Sequence, residues 1–158
     1  MGVTMTTEEM NVFLKEPWLA FVSTLTPNTG HPHVTPIWAY YDGDYFYMTL
    51  MDGNPKTRAL AKDHRVALAF SSDVLPFKAV LVHGAVELVR KDIRPIIRNI
   101  CKKYVGEDQA EAVTDLLLSD PQVIAKVTPT RIYAWDQAKV DFAEVARAEK
   151  SGAAFRVL

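Results

Sequence analysis

Two hydrophobic rhythms run along this chain. Short stretches rich in β-branched and aromatic residues, Trp18–Leu25, His33–Tyr41, Tyr45–Met51, Val66–Ser71, Lys78–Val89 and Lys126–Trp135, read as strands. Helical spacing appears elsewhere. Thr6 and Glu9 form a capping-box pattern ahead of Met10, Val12, Phe13 and Leu14, and Pro17 ends that helix. Pro55–Lys62 reads as a short helix with proline in its first turn. Ile93, Ile96, Ile97 and Ile100 share one face of a helix over Asp92–Tyr104, closed by Gly106. Asp108–Leu118 gives another helix, broken at Asp120-Pro121, and the Ala-rich end suggests one more over Phe142–Lys150.

The punctuation between strands is that of hairpins. Thr26–Gly30 is a turn cluster and Asp42-Gly43 a tight-turn signal. Pro36 inside its strand marks an edge or a bulge, and Gly84 a bulge or kink in a long strand. The expected fold is therefore mainly β with helices (α+β): a six-stranded antiparallel sheet closed into a barrel. One domain is expected over residues 1–158, with its core at 10–136 and an extension at 137–158. No Gly-x-Gly-x-x-Gly, Walker loop or Gly-x-Ser-x-Gly is present.

One segment stands out chemically. The strand Tyr45–Met51 has no charge on either face, one carrying Tyr45, Tyr47 and Thr49, the other Phe46, Met48 and Leu50. Such a strand needs cover on both sides, from core, a partner or a ligand. It runs into a helix opening with Pro55, Lys56, Thr57 and Arg58, where free backbone N–H groups, two cations and a hydroxyl suit a phosphate. The alternative is an ordinary solvated helix start. Cations there oppose the helix dipole, and a bound anion would relieve that conflict. Thr35-Pro36-Ile37-Trp38 offers freed backbone groups and flat apolar surface to a planar ring, or else is an edge strand with a core tryptophan.

Composition narrows the classes. Charged residues make up 23% of the chain, and 18 basic against 19 acidic residues leave a net charge of −1. That balance gives no reason to expect nucleic-acid or anionic-membrane binding. The start of the chain is acidic and lacks signal-peptide character, and Cys101 is the sole cysteine, so a cytoplasmic location is expected. His31 and His33 share a strand face but lack a third ligand at metal spacing, so no metal site is expected. Arg90, Arg94, Arg98 and Lys102 form a basic stripe, either a solvated helix face or a rim for an acidic ligand tail.

Taken in order, Phe13-Leu14, Thr24-Leu25, Gly30-His-Pro-His-Val-Thr-Pro36, Asp42-Gly43-Asp44, Lys56-Thr-Arg-Ala-Leu60, Asp63-His-Arg-Val66 and Val82-His-Gly84 resemble the pyridoxamine 5′-phosphate oxidase-like split-barrel flavin-binding proteins. Lys-x-Arg-x-Leu on the short helix is similar to the flavin- and deazaflavin-dependent oxidoreductase subgroup. The resemblance implies a six-stranded split β-barrel working as a homodimer, with two cofactor sites at the interface. FMN is the cofactor implied, with the 8-hydroxy-5-deazaflavin coenzyme as the alternative. The chemistry implied is hydride exchange between the ring and a small organic substrate. Thr35, Pro36, Ile37 and Trp38 would line the ring. Met48, Thr49 and Leu50 would follow its edge and chain, and Lys56, Thr57 and Arg58 would hold the phosphate. Phe77 and Lys78, and Trp135 less directly, would approach from the partner subunit. No catalytic side chain is assigned, although Tyr40 and Tyr47 are proton-donor candidates. Arg131-Ile-Tyr-Ala-Trp135 only partly echoes the substrate motif of true pyridoxamine phosphate oxidases, which argues against vitamin oxidation. A flavin-binding protein without turnover, serving storage, sensing or redox exchange, and a purely structural barrel are the rival readings.

Overall fold

The computed structural model describes residues 4–140; the helix expected over 142–150 lies outside them. Helix α1 (Thr7–Lys15) is followed by strands β1 (Ala20–Leu25), β2 (Pro32–Ile37), β3 (Ala39–Tyr41) and β4 (Phe46–Met51). Helix α2 (Pro55–Lys62), strands β5 (Arg65–Ser71) and β6 (Lys78–Val89), helices α3 (Arg94–Val105) and α4 (Glu107–Leu118) and strand β7 (Gln122–Asp136) complete it, with a 3₁₀ turn at Gln137–Lys139. All strand pairs are antiparallel, in the order β2-β1-β5-β6-β7-β4-β3.

Seven strands stand where six were expected, because His33–Tyr41 is two strands. β2 pairs with β1 at one edge of the sheet, β3 pairs with β4 at the other, and Trp38 alone connects them. A chain that crosses from one sheet edge to the other through one residue forces those edges together. The sheet is thereby curled into a split barrel, and β2–Trp38–β3 forms its seam. Pro36 sits on edge strand β2, opposite Phe21, where a missing N–H breaks no ladder.

The alternation of side chains builds two cores. Val22, Phe46, Met48, Leu50, Leu68, Phe70, Val80 and Val82 fill the barrel. On the opposite face of β3, β4 and β7, Trp38, Tyr40, Tyr47 and Ile124 pack under α3 and α4, against Ile97, Ile100 and Ala110. The expected bulge in β6 falls between His83 and Gly84. A Cβ on Gly84 would stand 2.5 Å from Val127 Cγ1 and 2.7 Å from the Thr128 carbonyl oxygen, so only glycine fits that approach. The capping box at α1 forms as expected, Thr6 and Glu9 each bonding the other's backbone N–H. Among the described residues no helix is long and apolar enough to cross a membrane.

Candidate functional site

Helix α2 begins where β4 ends and packs on β1 and β4, which brings its first turn to one end of the seam. Two strand edges border that seam. Among the described residues β2 has no partner beyond β1, and β4 is paired with β3 only over Phe46–Met48, so Thr49–Met51 presents a free edge there. Unpaired strand edges are ready donors and acceptors for an added flat polar group.

The turn into α2 is rigidly built. Asn54 caps the helix by accepting from the Thr57 N–H at 2.7 Å, and the Thr57 hydroxyl donates to the Met51 carbonyl at 2.9 Å. Arg90 holds Asp52 with two parallel bonds of 2.9 and 3.0 Å, and the Asp52 N–H donates to the Pro121 carbonyl. Pro55 has no N–H, so the Lys56 N–H is the first-turn donor left without a partner among the described residues.

The three expected phosphate ligands are therefore not equivalent. Thr57 is 2% exposed, with its hydroxyl and N–H both committed, so it locks the turn. Lys56 is half-buried, and that burial lowers its amine's pKa from the usual lysine range. Arg58 is exposed, donates to the Gly53 carbonyl, and lines a groove of about 400 Å³ with Lys62, Pro27, Asn28 and Pro55. Residues two apart on a helix do not face each other, whereas residues four apart do. Arg58 thus shares its groove with Lys62, which the reading of the sequence did not nominate although the four-residue spacing was visible. The Lys62 ammonium is steadied by the Pro27 carbonyl at 3.1 Å. Among the described residues none of Lys56, Arg58 and Lys62 has a carboxylate within 4.0 Å, and the first turn of α2 carries no acid.

The proposed ring-lining residues divide by face. Thr35 pairs with Val22 and points inward with it; its Oγ1 is buried and has no hydrogen-bond partner among the described residues. Ile37 packs on the barrel core, while Pro36 lies outside. Trp38 stacks on Tyr104 of α3, centroids 4.9 Å apart and planes within 4°. The Tyr104 hydroxyl accepts from the Ala39 N–H at 3.0 Å and donates to the Trp18 carbonyl at 2.8 Å, and Lys103 Nζ donates to the Ala39 carbonyl at 2.9 Å. These bonds satisfy the buried backbone at the crossover, and burial pushes the Tyr104 phenol up to about 12. Met48 and Leu50 point into the barrel core, so at the seam they offer backbone rather than side chains. Thr49 faces the other way and donates to Gln122 Oε1 at 3.2 Å.

Phe77 and Lys78 lie elsewhere. The Phe77 N–H donates to Gln137 Oε1 at 3.2 Å and its carbonyl accepts from the Gln137 N–H at 2.9 Å, while the Lys78 ammonium is 3.4 Å from Asp136. Of the two proton-donor candidates, Tyr47 already donates to Asp42 at 2.7 Å, and burial with that carboxylate raises its pKa. His31 and His33 are exposed at the start of β2. Arg131 is exposed and bonds the Tyr133 hydroxyl at 3.1 Å.

The model of the family described as pyridoxamine 5′-phosphate oxidase matches residues 6–136. No curated protein sequence matches the chain. Among solved structures, a conserved hypothetical protein from Mycobacterium tuberculosis superposes with a TM-score of 0.73 at 21% identity, covering 84% of this chain and 86% of the other. A protein named F420 reductase gives 0.62 at 23%, covering 77% and 94%. A FAD-binding protein from Mesorhizobium loti gives 0.63 at 18%, covering 84% and 94%. These likenesses are of fold.

Proposed function

The chain belongs to the pyridoxamine 5′-phosphate oxidase family, and from that premise we propose that it is a flavin-type oxidoreductase whose cofactor lies along the barrel seam. FMN is the first choice and the 8-hydroxy-5-deazaflavin coenzyme the second. The observation that carries the reading is the set of unpaired cations on α2 beside two free strand edges. Lys56, through its amine and N–H, and Arg58 would hold the phosphate, with Lys62 beside Arg58; Thr57 keeps the turn in shape. Thr35–Trp38 and the backbone of Met48–Leu50 would border the ring, and the orphaned Thr35 Oγ1 is a polar atom that a ligand would satisfy.

The cofactor supplies hydride exchange at its ring, while the protein supplies binding, orientation and electrostatics. No side-chain acid or base is needed for that division, and Tyr47, tied to Asp42, is poorly placed to give up its proton. The partly matching Arg131–Trp135 segment still argues against vitamin oxidation, and the small organic substrate is of another class.

We further propose that the working unit is a homodimer. Across five strands, Pro36, Phe21, Ala69, Leu81 and Tyr133 form one outward row and Val34, Ser23, Ala67, His83 and Arg131 the next, with no buried member in either row. Such a sheet face, holding exposed Phe21, Val34 and Tyr133, suits a second copy, which would bring Phe77 and Lys78 to the partner's ring. The test is titration of both cofactors by calorimetry, followed by reduction of the complex and a screen of organic acceptors. Rapid reoxidation by a specific acceptor supports the enzyme. Loss of electrons to oxygen alone would turn the reading to a flavin-binding protein without turnover.

A further inference from the structure

A cleft of about 640 Å³ that shares no lining residue with the α2 groove opens between α1, the loop from β5 to β6 and the turn after β7. Phe13 and Trp18, stacked 5.9 Å apart, line it. Val12 from the helix and Val74 and Leu75 from the loop converge on it while staying 63%, 62% and 74% exposed. Single exposed apolar side chains need no explanation, but three from two distant parts of the chain sharing one cleft do.

Its charge is one-sided. Among the described residues the lining carries Glu8, Glu9, Glu16, Asp136 and a single cation, Lys78. Lys78 is spent on Asp136, and Glu9 is held by Lys139 and by the Thr6 N–H. Glu8 and Glu16 have no ion pair among the described residues. Among the described residues an anion would meet two uncompensated carboxylates and no free cation. An ammonium would meet one of these carboxylates, Glu8 at the start of α1 or Glu16 at its end, and the face of Trp18, which attracts cations.

We propose that this cleft binds a small, mostly apolar molecule of positive charge, of the class of hydrophobic aromatic amines. The α2 anion groove is lined by other residues and has the opposite sign, whereas Lys78 borders this cleft and, on the homodimer reading, also reaches towards the partner's ring, so the variants tested leave Lys78 in place.

The test is calorimetric titration of the full chain with naphthalen-2-ylmethylammonium, its neutral alcohol analogue and naphthalene-2-carboxylate at one ionic strength. The ammonium is expected to bind about tenfold more tightly than the alcohol, and the carboxylate most weakly. A Glu8→Gln, Glu16→Gln double variant should bring ammonium and alcohol within about threefold of each other, and Leu75→Ser should weaken both. All three positions are exposed, and an unchanged thermal transition verifies the fold. Equal or tighter binding of the carboxylate would overturn the proposal. So would ammonium binding indifferent to both variants, which places the ligand elsewhere. Absence of binding, with Leu75→Ser shifting the monomer–dimer balance in sedimentation, would hand the cleft to a second copy of the chain. FMN affinity, measured alongside, reports on the cofactor reading separately.

Discussion

Helices α2 and α3 both carry basic residues at four-residue spacing, and they make opposite use of them. On α3, Arg94 pairs with Glu111 and Asp115, Arg98 with Glu107 and Glu111, and Lys102 with Glu107. Arg90, just before that helix, is spent on Asp52. The stripe that suggested a rim for an acidic tail is therefore neutralised by α4. On α2, Arg58 and Lys62 share a groove in which no carboxylate among the described residues answers them, and Lys56 stands at the first turn, also without one. A cation says little about function until its counter-charge is located. Where the chain supplies the carboxylate the residue is structural; where it does not, the charge is available to a ligand.

The comparison breaks most sharply under paired double variants. Lys56→Ala with Arg58→Ala should weaken FMN binding by about 2–4 kcal/mol, from charge-assisted bonds of roughly 1.5–3 each with imperfect additivity. The thermal transition should move little, since Arg58 is exposed and neither cation has an ion pair among the described residues. Arg94→Gln with Arg98→Gln should do the reverse, lowering stability slightly through the lost ladder and leaving FMN affinity unchanged. Calorimetric titration and denaturant unfolding on each variant check both halves.

Lys103 sharpens the contrast within α3. It too lacks a carboxylate, but its amine is drawn inward to the Ala39 carbonyl, and burial holds its pKa at about 8 against 10.5 in the open chain. Unfolding between those values takes up a proton, so this residue's contribution to stability rises as pH climbs from about 8 to 10.5 and its burial penalty is full below 8. Relative to Lys103→Met, the wild type should gain up to about 3 kcal/mol over that window in denaturant titrations at stepped pH. A smaller effect comes from putting a counter-charge into the α2 groove. Asn28→Asp should lower FMN affinity about tenfold, about 1.4 kcal/mol, while leaving the α3–α4 ladder untouched, as equilibrium dialysis would show.

The strands, the capping box, the bulge at Gly84 and the antiparallel order were legible because alternation, turn residues and caps are local signals. The break at Trp38 was not. Pro36 drew attention to the interruption, but the change of sheet edge depends on which strands pair, and pairing is non-local. The site shows the same boundary. Sequence could mark Lys56 and Arg58 as cations at a helix start. It could not show that the Thr57 hydroxyl would turn back to Met51, that Met48 and Leu50 would point into the barrel, or that Glu107 and Glu111 would cancel the stripe on α3. Each is a contact between elements, and periodicity carries no information about them.

The most direct test of the central claim is the visible absorbance spectrum of the freshly purified protein, followed by titration with FMN and with the deazaflavin coenzyme. The account predicts an oxidised flavin or deazaflavin band, or micromolar binding of one of the two. Protein that is colourless and binds neither at micromolar concentration would contradict it.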